Sequence, residues 1–369
     1  MARKDLHEKP FDEGTITKLE IFENYAKEWI PTFVMGGYPE LWIFDFFAGT
    51  GYDKKGVAGS PIRILQQIKN QASNILQKQT KINICFNESD KQKFGLLQQS
   101  CNKFINDNCE LSRMSINLQF RNSDFADLFP QALLTIKKFP SLVYLDQNGM
   151  KFLADKYIDD LEKTSTTDFL YFLSSSYFVR FGKTDAFQTN MNIDIARARQ
   201  NPYKYIHKSI LEQLRERLPK STKLSLYPFT IKKNANVYGI IFGATHPRAV
   251  DKFLKTAWDK NNVNGEANFD IDDDVEKSQP TLFEELKLPT KIDIFKQHIR
   301  KEILAGIVKT NKDAYDYTLK HGHIPSQATE EVTAMKKEKL IHYDGNWPLI
   351  NYEQVYKNKR IINFQILAI

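Results

Sequence analysis

The stretch "LWIFDFFAGTGYD", residues 41–53, runs from an apolar block into a Gly-x-Gly turn. An apolar run bounded by glycine reads as a buried strand, here Leu41–Phe47. Asp45, Phe47, Gly49 and Gly51 then fall at its carboxyl edge. The turn is not the G-x-G-x-x-G dinucleotide fingerprint, because Lys54 stands where the third glycine would be. It is not a phosphate-binding P-loop either, since no Lys-Ser/Thr pair follows the glycines.

Outward from this stretch, strand and helix patterns alternate. Further strands are expected at Ile82–Asn87, Ile116–Arg121, Leu142–Asp146 and Phe169–Ser174, with helices at Pro61–Gln71, Lys91–Ile105, Phe125–Ile136 and Phe152–Leu161. A first helix, Thr17–Ile30, carries Phe22, Tyr25, Ala26, Trp29 and Ile30 on one face and is expected to stop at Pro31. Strands such as "LVYLD" and "FLYFL" are apolar at successive positions, as in a parallel sheet covered on both faces. The expected fold is therefore α/β and doubly wound. After a helix near Tyr203–Leu218, "LSLYPFTIKK" and "VYGIIFGAT" are separated by a short Asn-rich turn, which makes a hairpin and an antiparallel last strand. A seven-stranded, mostly parallel Rossmann-like sheet finished in this way is the layout of class I methyltransferases.

The chain has 369 residues, 41% hydrophobic, and a formal net charge of +7, which suits an anionic partner such as nucleic acid. No apolar run is long enough to span a bilayer and the first residues lack a signal-peptide pattern, so no membrane partner is expected. Cys85, Cys101 and Cys109 have neither disulfide arithmetic nor zinc spacing, and the histidines show no metal-type spacing, so no metal site is assigned and a reducing, cytoplasmic setting is expected. Three regions are read: a methyltransferase-like domain with its N-terminal helix at 1–262, an acidic linker at 263–285 containing "GEANFDIDDDVEKS", and a C-terminal unit at 286–369. In the last, helices at Asp293–Ala305, Lys312–His321 and Gln327–Leu340 precede "LIHYDG" and "KRIINF", the pattern of a winged helix. Lys336, Lys337 and Lys339 on its third helix are candidate nucleic-acid contacts, with protein docking the alternative use of this unit.

Ligands of open α/β sheets sit at the carboxyl ends of the strands, where strand order reverses. The second strand ends in "CFNESD", putting Glu88 where it could accept from a ribose diol. The third is followed by "NSDF": Asp124 could accept from an adenine amine, or cap the helix beginning at Phe125, or both, while Phe125 could lie against the adenine ring. The fourth ends in "YLDQNG", bringing Asp146 to the same edge. One carboxylate per strand tip suits no phosphate ligand, but it suits S-adenosylmethionine, with its sulfonium, ribose diol and adenine. The cofactor-binding set is thus Asp45, Phe47, Gly49, Gly51, Glu88, Asp124 and Phe125.

The chain resembles the three-Cys-motif partner protein family through "KLEIFENYAKEWI", "WIFDFFAGTGYDKKGVAGSPIRIL", "CFNESDKQKFGLL", "NSDF", "LVYLDQNG", "TDFLYFLSSSYFVRF", "YGIIFGATHPRAVDKFLKTAW" and "HGHIPSQATEEVTAMKKEKLI", which span nearly its whole length. The resemblance implies a methyltransferase-like domain followed by a helical region, a separate radical-S-adenosylmethionine-like partner that bears the cysteines, and a place in DNA or RNA modification or antiphage defence. Relatives tend to carry Asp-Pro-Phe-Gly after the fourth strand, where this chain has Asp146-Gln147-Asn148-Gly149. Asp146 and Asn148 keep acceptors for a target amine and are the catalytic candidates, but the rigid Pro and the stacking aromatic are gone. Arg180 is a candidate phosphate contact, and Tyr177 or Phe178 could stack on a base. Three functions compete: a nucleic-acid methyltransferase, a catalytically degenerate binding subunit working with a second protein, and a Mg²⁺-dependent nuclease.

Overall fold

The computed structural model describes residues 10–147, 155–174, 184, 193–233, 236–266, 268–279 and 288–367. Two compact units divide at 245/246.

The first unit holds seven strands: β1 (Glu40–Asp45), β2 (Lys81–Asn87), β3 (Ile116–Arg121), β4 (Ser141–Leu145), β5 (Thr167–Ser174), β6 (Ser225–Lys233) and β7 (Asn236–Ala244). Their order is β3-β2-β1-β4-β5-β7-β6. The pairs among β1 to β5 are parallel, and β7 runs antiparallel to both β5 and β6. This is the expected class I methyltransferase layout. The reversal of order lies at β1, flanked by β2 on one side and β4 on the other.

Its helices are α1 (Glu13–Met35), α2 (Ser60–Asn70), α3 (Ala72–Lys78), α4 (Lys91–Asn106), α5 (Cys109–Ser112), α6 (Phe125–Ile136), α7 (Asp155–Glu162), α8 (Ile195–Arg199) and α9 (Ile206–Arg217). Alternation along β4 assigns them to faces. Tyr144 meets α1, its ring 4.6 Å from that of Phe22 and its hydroxyl donating to the Phe22 carbonyl at 2.8 Å. Val143 and Leu145 enter the opposite core with Phe125, Phe129 and Tyr157 of α6 and α7. In the antiparallel region Gly243 leaves room for an aromatic ring, since a Cβ there would lie 2.0 Å from Cζ of Phe169.

Helix α1 does not stop at Pro31 but continues to Met35. Proline inside a helix removes one backbone donor and crowds the carbonyl one turn back, at a cost of about 3 kcal/mol, and the residues around it supply compensation. Thr32 Oγ1 donates back to the Glu28 carbonyl at 2.8 Å, Phe33 packs between Trp29 and Tyr38, and Val34 is fully buried.

The second unit contains α10 (Pro247–Lys260), α11 (Asp274–Lys277), α12 (Lys291–Leu304), α13 (Asn311–Lys320), α14 (Pro325–Lys337) and a two-residue ladder, β8 (Ile341–His342) with β9 (Gln365–Ile366). Helix α10, read from sequence as part of the first domain, belongs here: Trp258 Nε1 donates to the Gly322 carbonyl at 3.0 Å, and Tyr315 donates to Asp251 at 2.9 Å. The described acidic residues expected to form a linker are built in as well. Asp270 accepts from Asn264 Nδ2 and the backbone amides of Asp274 and Val275, while Ile271 and Asp274 are fully buried. Composition suggested a solvated linker; capping bonds make these carboxylates structural. Capping boxes at Thr290/Asp293 and Thr310/Asp313 start α12 and α13. The "KRIINF" segment does not pair with β8; Asn363 bridges to Thr310 instead. Among the described residues no helix is long and apolar enough to cross a membrane.

Candidate functional site

Four strands in the order β3-β2-β1-β4 bring their carboxyl ends side by side, so the acidic tips read from sequence share one edge. Asp45 ends β1 and is 1% exposed. Its Oδ2 accepts from Ser60 Oγ at 2.6 Å and its Oδ1 from the Phe47 amide at 3.2 Å. Burial nevertheless pushes its carboxyl up to about 7; the two hydrogen bonds oppose that rise, and the negative charges of Asp146 and Glu88 add to it.

The turn that follows has Gly49 at φ +67° and Gly51 at φ +90°. The Gly49 amide donates to Glu88 Oε2 at 3.2 Å, and the Asp90 amide donates to Oε1 at 2.8 Å. Glu88 therefore faces the glycine turn, half-buried. Gly51, one of the expected cofactor-binding residues, has a reason of its own to be glycine. A Cβ there would lie 2.7 Å from the Ser100 Cβ of α4, so protein packing already demands glycine. Ser100 Oγ also donates to the Thr50 carbonyl at 2.9 Å, which fastens the turn to that helix.

Asp124 caps α6, its Oδ1 accepting from the Ala126 amide at 2.9 Å. It is joined to the rest of the crescent by Asn87. That buried side chain donates to the carbonyls of Phe46 and Ser123 and accepts from the Ser123 amide, each at 3.1 Å, tying together the tips of β1, β2 and β3. Phe125 is not placed to stack on a ligand. It is 2% exposed, with its ring 5.2 Å from those of Phe46, Phe47 and Phe129 and 4.8 Å from that of Tyr157. The first residue of a capped amphipathic helix here faces the core. Phe47, half-buried, keeps part of its surface.

Asp146, just beyond β4, has a partner that sequence reasoning missed. Lys18 Nζ of α1 lies 2.7 Å from Oδ1 and 2.6 Å from Oδ2, and 4.6 Å from the centroid of the Phe172 ring. Both ends of the pair are mostly buried, at 11% and 19% exposure. The only early signal is that Lys18 lies one turn before Phe22 on the face of α1 that meets β4. Gln147 is 2% exposed, and neither end of its amide meets a hydrogen-bond partner among the described residues. Asn148, Tyr177, Phe178 and Arg180 lie outside the described residues.

The lysines of the second unit divide. Lys336 Nζ donates to the carbonyls of Tyr343 at 2.8 Å and Gly345 at 2.7 Å and lies over the Tyr343 ring, so it holds the following turn. Lys337 and Lys339 are exposed. The three cysteines are free thiols, and among the described residues no three His, Cys, Asp or Glu side chains are grouped to hold a metal ion.

No protein-family model and no curated protein matches the chain. Solved structures do. The O-methyltransferase TomG from Streptomyces achromogenes, in complex with S-adenosylmethionine, is 10% identical over 64% of this chain and 91% of its own, with a TM-score of 0.32. Trm1 from Pyrococcus horikoshii, also with S-adenosylmethionine, is 10% identical over 66% of this chain and 59% of its own, at 0.33. An O-methyltransferase from Bacillus cereus in complex with SAH is 11% identical over 63% and 91%, at 0.33. At such low scores the strand order of the chain itself, not these likenesses, carries the fold.

Proposed function

We propose that the first unit binds S-adenosylmethionine at the crescent of Asp45, Glu88, Asp124 and Asp146 and transfers its methyl group to an amine of a nucleic acid. The observation that carries this reading is the placement of the acidic groups: adjacent parallel strands bring Asp45, Glu88, Asp124 and Asp146 to one edge, Glu88 turned to the Gly49 amide, with Lys18 paired to Asp146. Carboxylate acceptors gathered beside a glycine turn favour a ligand with hydroxyl and amine donors and a positive charge over a phosphate. The acceptors present fit S-adenosylmethionine. Glu88, fixed at the turn by Gly49 and Asp90, has lone pairs left for ribose hydroxyls. Asp124 is the acceptor for an adenine amine. Asp45 and the Gly49 turn face the methionine part.

S-adenosylmethionine, when bound, supplies an already activated methyl group, so the protein has mainly to align the nucleophile and exclude water. Asp146, held by Lys18, would accept a hydrogen bond from the target amine and orient its lone pair. Gln147 would contribute the partnerless buried amide beside it, with Asn148 a further acceptor. Nucleic acid as the substrate is supported by the net charge of +7 and by exposed Lys337, the last residue of α14, and exposed Lys339 just beyond the helix, in a second unit read as winged-helix-like. The wider assignment, to the three-Cys-motif partner family with a radical-S-adenosylmethionine-like companion and a role in DNA or RNA modification or antiphage defence, rests on the motifs quoted above.

The test is calorimetry with S-adenosylmethionine on the wild type and Glu88→Ala, together with transfer of labelled methyl to mixed DNA and RNA. Binding that is lost in Glu88→Ala, and transfer that is lost in Asp146→Ala, are the expected results; equal affinity in the two proteins would remove Glu88 from the site. One observation favours a second reading, a binding subunit without transfer. Both oxygens of Asp146 are already engaged by Lys18, in a tetrad that lacks its Pro and aromatic. Cofactor binding with no label transfer would select it.

A further inference from the structure

A basic surface of the second unit is built around two stacked tyrosines and does not depend on how the crescent is read. Tyr352 and Tyr356 lie one turn apart at a π-helical turn (Glu353–Lys357), with ring centroids 5.6 Å apart and planes 13° from parallel. Such turns are rare and recur at functional places. Each half-buried ring carries a cation: the Arg248 guanidinium is 5.3 Å from the Tyr352 centroid, and Lys312 Nζ is 4.9 Å from that of Tyr356. Asp316 fixes the far end, its Oδ1 accepting from the Tyr356 hydroxyl at 2.7 Å and its Oδ2 from Lys312 Nζ at 2.6 Å. Arg248 sits in the first turn of α10, where the helix dipole disfavours a cation, so α10 itself does not account for it.

The start of α13 gathers further cations beside Lys312. Asn311 Nδ2 donates to the carbonyls of Leu349 at 3.2 Å and Arg360 at 3.0 Å, and the Lys309 carbonyl accepts from the Phe364 amide at 2.8 Å. Lys309, Lys359 and Arg360 are thereby held close to that helix start, and all three are exposed. Among the described residues neither they nor Arg248 has a carboxylate within salt-bridge distance. Charges of one sign gathered without partners favour the approach of an anion. The surface near α14 is different: Lys296 answers Glu330, and Arg300 answers Glu331 and Glu338, while Lys336 holds a turn. Trp347 adds a planar group. It is 63% exposed and stands two residues ahead of Leu349, whose carbonyl Asn311 holds.

We propose that this surface docks a single-stranded stretch of nucleic acid, with backbone phosphates on Arg248, Lys359 and Arg360 and an unpaired base against Trp347. An arginine laid against a ring is pre-oriented to present its fork of donors to a phosphate. Exposed indole beside unpaired cations is the combination by which proteins hold a strand, stacking on bases and neutralising the backbone between them. An acidic peptide would answer the cations but brings nothing planar to Trp347.

The experiment is fluorescence anisotropy on the full chain with labelled oligonucleotides, single-stranded and duplex, and with labelled polyglutamate, between about 50 mM and 200 mM salt. The single strand should bind, with an affinity that falls steeply as salt rises. Arg248→Gln combined with Arg360→Gln should weaken it at least about tenfold and flatten its log–log salt slope by about 1.4, the share of two phosphate contacts. Trp347→Ala should weaken the single strand more than the duplex, whose bases are already stacked on one another. Lys337→Gln with Lys339→Gln should do less than the arginine pair. The proposal is overturned by a wild type that does not bind the single strand, by polyglutamate bound as tightly, or by an unchanged slope in the arginine variant. Equal losses for the two oligonucleotides in Trp347→Ala, or a larger loss in the lysine variant, would overturn it as well. The comparison of oligonucleotide with polyglutamate needs only the wild type, so a variant that fails to fold does not protect the idea. It also needs no S-adenosylmethionine, so failure here and failure at the crescent are separate results.

Discussion

Replacing Asp45 by Asn should make the protein more stable at neutral pH, by an amount that depends on pH in a defined way. In the folded chain the Asp45 carboxyl is pushed from 3.8 to about 7, mainly by burial. In the unfolded chain it ionises near its ordinary value, so between about pH 4 and pH 7 the folded state holds a proton that the unfolded state does not. Wild-type stability contributed by this group is complete below that window and falls by about 1.4 kcal/mol per pH unit across it. The whole loss is about 4 kcal/mol, reached at pH 7 and constant above it. Asn cannot ionise, so the variant escapes this loss. Its single amide oxygen cannot serve both Ser60 and the Phe47 amide, which costs about 1 kcal/mol at every pH. The difference between variant and wild type should therefore start slightly negative near pH 4, cross zero and reach about +3 kcal/mol at pH 7 and above. Asp168, also raised to about 7 by burial, adds its own slope to both proteins and cancels in the difference. Urea titrations of the two proteins at several pH values measure it. A difference that stays flat with pH would mean that Asp45 ionises normally in the fold, and the reasoning from its burial would be refuted.

Two further substitutions probe the same edge. Lys18→Met should cost about 2 kcal/mol by leaving Asp146 without its counter-ion, and Asp146→Asn on top of it should restore part of that; purely additive effects in the double-mutant cycle would show the ion pair contributes nothing. Gly51→Ala should cost about 2 kcal/mol or more from the forced φ of +90° and the close approach to Ser100, and Ser100→Gly should return only the steric share, as followed by urea midpoints; full rescue would show that the backbone conformation is not strained.

The sheet was legible because its strands are covered on both faces, which makes them continuous apolar runs with an abrupt end at a charge or a glycine. Asp45, Glu88 and Asp124 could be placed from that end alone: a residue just past a parallel strand must lie at the carboxyl edge. What could not be read depended on contacts far apart in the chain. Lys18 meets Asp146 across 128 positions, and no local pattern announces such a pair. The pattern puts Gly51 in the cofactor-binding set, although the atom that excludes a side chain there belongs to Ser100. Phe125 was taken for a ligand surface because it follows an acceptor, yet the cap on α6 turns that first residue inward. The acidic run near Asp270 looks solvated by composition, which counts charges but cannot see that Asp270 caps backbone amides and that Glu266 and Asp274 are buried.

The charges at the crescent bear on which ligand it would take under the proposed reading. Lys18 already answers Asp146, while Glu88 faces the Gly49 turn and Asp45 is buried beside it, so a phosphate placed there would meet carboxylates with no cation left to it, and a sulfonium would not. Adenosine monophosphate should therefore fail to displace S-adenosylmethionine in a competition titration, and displacement at comparable concentrations would refute the assignment of the cationic cofactor to this edge.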